Sequence, residues 1–391
     1  MGIIGIICEY NPLHGGHFRH IASAKKASGA DTLVCIMSGA FVQRGEPAIL
    51  DVHTRARWAI QAGADAVILL PTIYSLSSAD DFARGGVMAM KESGIFSAFS
   101  FGSMNPDVHA LEALSKHLLR EPAEFSVAMQ EALKSGLGYP AALTRAMEIC
   151  PPEGLDAKTA CNILKSANDS LGVRYLLENE RLCANLTPYV IRRDAEDISA
   201  SIVRQAVHEG DCIPCLDVPH FVAEELVEGK ACDPKFYDNI LAAHLRMTSK
   251  EQLSTCPDMP QTLCDVLYAA ARKYADLQSI ILAVSGKNYT HARIRRAIWH
   301  SYLGVTEELR NEAKQHFPYL RVLAVKNGRQ DILSKLAKNA ACPVLTDGKT
   351  DHLSDFAKSC AALDEKAMDL QAMTLSDPTC GSWYTKRLYI V

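Results

Sequence analysis

Four short apolar runs separated by helical stretches fill the first hundred or so residues, and this alternation leaves the chain very few architectures. The runs are Ile3–Cys8, Thr32–Met37, Ala66–Leu70 and Ala98–Phe101, with helical composition near 18–28, 52–62 and 79–93 between them. Short apolar runs without polar alternation read as strands buried on both faces. Strands of that kind joined by helices form a parallel sheet covered on each side. Gly29-Ala30-Asp31 and Gly63-Ala64-Asp65 close two of the helices in the same way, with glycine suited to a left-handed C-cap before the next strand. The expected fold class is therefore α/β, with a Rossmann-like parallel sheet. Such sheets bind ligands beyond the carboxyl ends of their strands.

The first of those strand ends is unusual. Glu9-Tyr10-Asn11-Pro12-Leu13 makes a turn, His14-Gly15-Gly16-His17 follows, and Phe18 to Lys26 has helical composition. The first-turn N–H groups of a helix lack intrahelical partners, and the helix dipole favours an anion there. Glycines let the backbone come close to such an anion, and two imidazoles add donors. This reading makes Ile7 to His20 a phosphate-binding segment with His14 and His17 as its chemical groups. Metal ligation is the alternative, because His14, His17 and His20 form a ladder. No nearby carboxylate pattern completes a closed ligand set. Structural histidines are the third reading.

Length and composition set the outer limits. The 391 residues are enough for two or three domains. Hydrophobic content of 48% and charged content of 22% are ordinary for a globular enzyme. A formal net charge of −4 exerts no global pull on nucleic acid, so an RNA site would have to be a local basic patch. Thirteen scattered cysteines read as reduced thiols, mostly buried, which fits a cytoplasmic protein. Cys212-Ile213-Pro214-Cys215 is a lone CxxC, without the partner motif that zinc would need or the thioredoxin-like context of a redox pair. A signal peptide is not expected, and no apolar stretch reaches the ~18 residues of a membrane span. Walker A and GxGxxG patterns are absent, against a P-loop or dinucleotide enzyme.

Residues 106–182 read as a helical insertion, Leu186–Arg192 as a further strand and Ser199–His208 as a helix. Pro214 and Pro219 mark a boundary. The expected domains are 1–215, carrying the sheet, and 216–391, mainly helical. A small strand–helix–strand piece is expected at Leu320–Val325, Asp331–Ala337 and Pro343–Leu345. Asn168 is either a helix N-cap or a reader of a ribose hydroxyl or base edge. Arg44, in the loop after the second strand, could hold a carboxylate or phosphate, or belong to a plain turn. Segment 287–329 carries nine Lys and Arg, among them Arg293 and Arg296. Arg293, Arg296 and His300 share one helical face at i, i+3 and i+7, and Tyr289, Trp299 and Tyr302 supply rings. That combination reads as an RNA-facing helix, with a solvated amphipathic helix as the alternative.

The order strand, N-P-L-H-G-G-H, helix resembles the HxGH signature of the nucleotidyltransferase superfamily. The resemblance narrows with Met37-Ser38-Gly39, Gln43-Arg44-Gly45-Glu46-Pro47-Ala48 and Phe101-Gly102-Ser103. Asn168-Asp169-Ser170-Leu171-Gly172, Ser199-Ala200-Ser201-Ile202-Val203-Arg204 and Tyr289-Thr290-His291-Ala292-Arg293-Ile294-Arg295-Arg296 follow in order. Together these are similar to the bacterial tRNA(Met) cytidine acetate ligase family, over residues 1 to about 330. The Asn168 loop departs from the family pattern at Ala167, Asp169 and Ser170.

The resemblance implies a sheet of HxGH nucleotidyltransferase type with a mainly helical C-terminal domain. It implies an ATP site made by Ile7, Cys8, Glu9, Tyr10, Asn11, Pro12, Leu13, His14, Gly15, Gly16, His17, Phe18, Arg19 and His20. Gly102, Asn168, Arg193, Ser201 and Arg204 complete that site, with Arg193 favoured over Arg192 by its spacing from Asn168. It implies a ligase that forms acetyl-adenylate from ATP and acetate and acetylates the N4 amine of the wobble cytidine of elongator tRNA(Met). Mg²⁺ would accompany the ATP, and no metal would be held by protein ligands alone. Two other functions remain open at this point. One is an adenylyl- or cytidylyltransferase acting on a small phosphorylated metabolite. The other is a non-catalytic ATP-sensing RNA-binding protein.

Overall fold

Among the described residues there are ten strands, the long central ones formed where apolar residues cluster. They are β1 (Ile3–Cys8), β2 (Thr32–Ser38), β3 (Phe41–Val42), β4 (Glu46–Pro47), β5 (Ala66–Leu70), β6 (Ala98–Ser103), β7 (Thr187–Arg192), β8 (Leu320–Val325), β9 (Val344–Leu345) and β10 (Tyr389–Ile390). The computed structural model describes residues 2–194, 197–227, 231–286, 288–375 and 381–391. Lys287 and Cys380 lie outside the described residues.

The main sheet runs in the order β10-β8-β5-β2-β1-β6-β7, with β9 alongside β8. β1, β2, β5, β6 and β7 are mutually parallel. Helices Gly15–Ser28, Val52–Gln61 and Ala79–Ser93 make the crossovers. Every residue of β2 and β5 is buried, as a sheet covered on both faces requires. From β1 the chain steps outward through β2 to β5, then returns to pair β6 on the other side. The strand order therefore reverses between β1 and β6, and a crevice opens there at the carboxyl ends.

Five helices between β6 and β7 form the insertion: Val108–Arg120, Ala123–Lys134, Tyr139–Ile149, Ala157–Lys165 and Ala167–Arg181. The last of them packs on β6 and on Ala79–Ser93. Residues 216–316 are helical throughout their described α and 3₁₀ elements, from His220–Val227 to Glu307–Ala313.

The division at residue 215 does not hold to the end of the chain. β8 adds to the main sheet, antiparallel to β5, and β10 pairs in parallel with β8. The sheet is mixed rather than purely parallel. Helix Asp355–Ala372 returns to the N-terminal half, where Asp364 accepts the Thr72 N–H at 2.6 Å. Gln371 Nε2 donates to the carbonyls of Ala48 and Leu50 at 2.6 and 3.0 Å. Sheet physics explains the return. Without β8, the fully buried β5 would present an unpaired edge. The wholly buried run Leu320–Val325 supplies the missing partner.

Ten of the described cysteines are free, but Cys212 and Cys215 are joined as a disulfide. This corrects the reading of uniformly reduced thiols. Among the described residues no helix is long and apolar enough to cross a membrane.

Candidate active site

A cavity of about 910 Å³ lies at the strand-order reversal, beyond the carboxyl ends of β1, β6 and β7. Its size falls in the range of small-molecule and cofactor sites. Most of the expected site residues line it. Ile7, Cys8, Glu9, Tyr10, Asn11, His14, Gly16, His17, Arg19 and His20 come from the first turn and helix. Gly102, Asn168, Arg193, Ser201 and Arg204 come from the opposite side. Four residues of the expected segment do not. Pro12 is buried, and Leu13 is completely buried in the wall. Phe18 is 43% exposed. Gly15 turns away from the cavity towards Asp217, where a Cβ would come within 2.0 Å of the carboxylate. Its N–H already donates to the Asp217 carbonyl at 2.8 Å.

The helix Gly15–Ser28 begins with His14 as its N-cap, and a reciprocal arrangement joins His14 to His17. Nδ1 of His17 accepts the His14 backbone N–H at 3.4 Å. A neutral His17 therefore carries its proton on Nε2. His14 and His17 stack, and Tyr10 meets His17 edge-on with centroids 5.1 Å apart. Tyr10 holds the turn with a φ of 44° and is 2% exposed. His20 Nε2 is bonded to Ser100 Oγ on β6 at 2.9 Å.

All three imidazoles are pushed towards the neutral form. Burial and the nearby Arg193 charge lower His14 to about 4. The same two causes lower His20 to about 4. His17 is lowered well below the ordinary value, first by burial and then by its histidine neighbours. Among the described residues no group of three or more His, Cys, Asp or Glu is placed to hold a metal. His14 and His17 lie at the N-terminus of the helix Gly15–Ser28, with His20 one turn further on.

Arg55 holds this turn in place, and motif reading missed it. It is wholly buried. Its guanidinium donates to the carbonyls of Leu50 at 3.0 Å, Glu9 at 2.7 Å and Ser38 at 3.1 Å, and also to that of Gly39. One side chain thereby ties the ends of β1 and β2 together. Asn11 adds a second tie, its Oδ1 accepting the Ile49 N–H at 2.7 Å. No local signal marks it, because an arginine on a helix four positions after the N-cap Asp51 reads as solvated.

The facing wall is built by β6, β7 and two helix starts. Gly102 leaves room for the Arg193 stem, since a Cβ there would lie 2.9 Å from Arg193 Cγ. Ser166, not Asn168, caps helix Ala167–Arg181, accepting the Asp169 N–H. Asn168 sits in the first turn and faces the cavity. Asp169, where the chain departs from the family loop, is buried. Its Oδ1 accepts Ser103 Oγ–H at 2.6 Å and the Met104 N–H at 2.8 Å, fastening β6 to that helix. Ser199 is the N-cap of helix Ala200–Glu209, and its hydroxyl meets that of Ser201 at 2.8 Å. Arg204 reaches across to the Asn11 carbonyl at 2.7 Å. Arg44 is exposed at the cavity margin.

The face expected to meet RNA is not a surface. Arg296 is 7% exposed, and its Nη1 donates to the Gln43 carbonyl at 3.1 Å. His300 is 2% exposed, and its Nε2 donates to the Leu76 carbonyl at 2.7 Å. Trp299 is buried between Phe41 and Tyr237. The β3–β4 hairpin meets helix His291–Leu303 at Arg295, Arg296 and Trp299, through Glu46, Gln43 and Phe41. Only Arg293 of the three stays partly exposed, 5.4 Å from the Tyr289 ring centroid. Arg296 and His300 fasten the helical region to the sheet.

The HIGH Nucleotidyl Transferase family profile matches residues 1–382. The tRNA(Met) cytidine acetate ligase of Clostridium acetobutylicum is 33% identical over 88% of this chain and 90% of that protein. A protein of the same name from Acetivibrio thermocellus is 30% identical over the full length of both. A crystal structure of Thermotoga maritima TmcAL bound with alpha-thio ATP superposes on the full length of both chains, with a TM-score of 0.92 at 27% identity.

Proposed function

This chain belongs to the HIGH nucleotidyltransferase family and shares the tRNA(Met) cytidine acetate ligase pattern along its length, and on that footing we propose that it is an ATP-dependent tRNA(Met) cytidine acetate ligase. In the first half-reaction an acetate oxygen attacks the α-phosphorus of ATP, and pyrophosphate leaves. In the second, the N4 amine of the wobble cytidine of elongator tRNA(Met) attacks the acetyl carbon, and AMP leaves. A tRNA substrate puts this work in the cytoplasm.

The observation that carries the reading is the opposition of two cation and donor sets across one cavity. His14, His17 and the helix start lie on one side, and Arg193 and Arg204 on the other. Donors fixed before the substrate arrives stabilise charge growing on pyrophosphate without reorganising. His17 Nε2–H is one such donor, and Arg204 matches a phosphate oxygen pair. Mg²⁺ would ride on the nucleotide phosphates, as it does where no dedicated protein cage exists, and would neutralise charge there. The exposed Arg44 and Arg192 at the margin would meet the tRNA backbone.

Acetate-dependent exchange of pyrophosphate into ATP tests the first half-reaction, and mass spectrometry of tRNA nucleosides tests the second. Acetylcytidine appearing only with ATP and acetate together is the expected result. Pyrophosphate release indifferent to acetate would overturn the reading.

A further inference from the structure

We infer that Glu9 is the base that takes the N4 proton as the cytidine amine attacks the acetyl-adenylate, an inference that rests on the ligase reading above. The N4–C bond forms, the bond from the acetyl carbon to the AMP oxygen breaks, and AMP departs with that electron pair. The N4 proton passes to the Glu9 carboxylate. An exocyclic amine shares its lone pair with the ring and gains positive charge as it attacks. It therefore gains from a positioned base.

Glu9 follows β1 directly, at the start of the histidine turn, and lines the cavity. It is held at both ends. Its Oε1 accepts the Gln43 N–H at 2.8 Å, and its carbonyl accepts Arg55 Nη1 at 2.7 Å. The other acids lining the cavity are engaged or outlying. Glu46 pairs with Arg295, Asp197 pairs with Arg19, and Asp194 is exposed. Glu9 makes no ion pair among the described residues. A carboxylate in a phosphate-binding cavity repels the nucleotide, so its natural partner is a donor. The cytosine N4 group offers two N–H bonds, and Glu or Asp is the side chain that accepts from it.

Burial raises the Glu9 carboxyl, against the pull of the Gln43 N–H and of Arg204, Arg44 and Arg55. Tyr175, on helix Ala167–Arg181, also feels the Glu9 charge. A carboxyl raised in this way suits proton transfer near neutral pH better than an exposed one.

Glu9→Gln keeps an oxygen for the Gln43 N–H and removes the base. The two half-reactions are measured apart, with acetate-dependent pyrophosphate exchange for the first and single-turnover transfer to tRNA for the second. We expect transfer to fall by about a hundredfold or more, in the range for a lost general base, and pyrophosphate exchange to fall far less. The acid limb of the wild-type transfer rate should flatten in the variant, and Glu9→Asp should restore part of the transfer. Transfer within threefold of wild type overturns the inference. An equal fall in both steps overturns it in favour of a purely structural role for the Gln43 contact. A loss of exchange that added Mg²⁺ restores overturns it in favour of metal ligation. Wild-type protein that transfers no acetyl group to tRNA would instead defeat the ligase reading itself.

Discussion

The imidazoles of His14 and His17 stack with centroids 3.8 Å apart while the backbone N–H of the first donates to Nδ1 of the second. The contact sets the His17 tautomer before any ligand arrives. His17→Ala should slow acetate-dependent pyrophosphate exchange by about 10²–10³-fold, the range for one lost preorganised donor. Circular dichroism should stay unchanged. Exchange within threefold of wild type would show that the donor acts elsewhere.

The low histidine values make a prediction with a definite sign. His14 and His20 titrate at about 4 in the folded protein and His17 is held well below its ordinary value, against about 6.5 in an unfolded chain. Their contribution to stability is present above about pH 6.5 and is lost as the pH falls through the folded values. Denaturant midpoints should therefore drop between pH 6.5 and 4. A triphosphate beside these rings favours their charged form. ATP binding below pH 6.5 should take up protons, visible by calorimetry in buffers of different ionisation enthalpy. Proton release would contradict the assignment.

Arg204 faces the histidine turn across the cavity and donates to the Asn11 carbonyl. Arg204→Ala should cost about 2–4 kcal/mol of transition-state stabilisation in the first half-reaction. The check is kcat/KM for ATP. A loss below threefold would mean that this guanidinium only braces Asn11.

Arg55 satisfies four backbone carbonyls at once. Arg55→Met fills similar volume but leaves those acceptors without their donor. At about 1–3 kcal/mol for each buried unmet group, we expect at least about 3 kcal/mol of destabilisation. Chemical denaturation measures it directly. ATP affinity should fall in the protein that remains folded.

Arg296 and His300 test the corrected reading of helix His291–Leu303. Arg296→Ala and His300→Ala should each lower the melting temperature, as expected for loss of a buried hydrogen bond to backbone. The salt dependence of tRNA binding should keep its slope, because neither residue reaches a phosphate. A slope reduced by about one unit would return them to the RNA surface.

The parts legible in the sequence were those encoded within a few residues. The strands β1, β2, β5 and β6 follow apolar runs, and the histidine turn follows local helix-start chemistry. What escaped notice depended on partners far along the chain. Nothing in Leu320–Val325 says that it will lie antiparallel to β5, roughly 250 residues earlier in the chain. Arg296 and His300 have the spacing of a charged outer face. Their burial depends on partners far earlier in the chain, Gln43 for Arg296 and Leu76 for His300, and helical periodicity carries no trace of them. Arg55 shows the same gap from the other side, since a cation inside a sheet edge reads locally as a solvated helix residue.

The late arrival of β8 shapes how this molecule can be made. During synthesis the flank of β5 stays open until residues 320–325 leave the ribosome, after the helical region has already emerged. Throughout that interval the nascent sheet carries an apolar, unpaired border, the kind of surface that holdase chaperones cover and that aggregation exploits. Circular permutants that place Leu320–Val391 ahead of Ile3 would shorten that interval, and their soluble yield without chaperones would report how much the chain order costs.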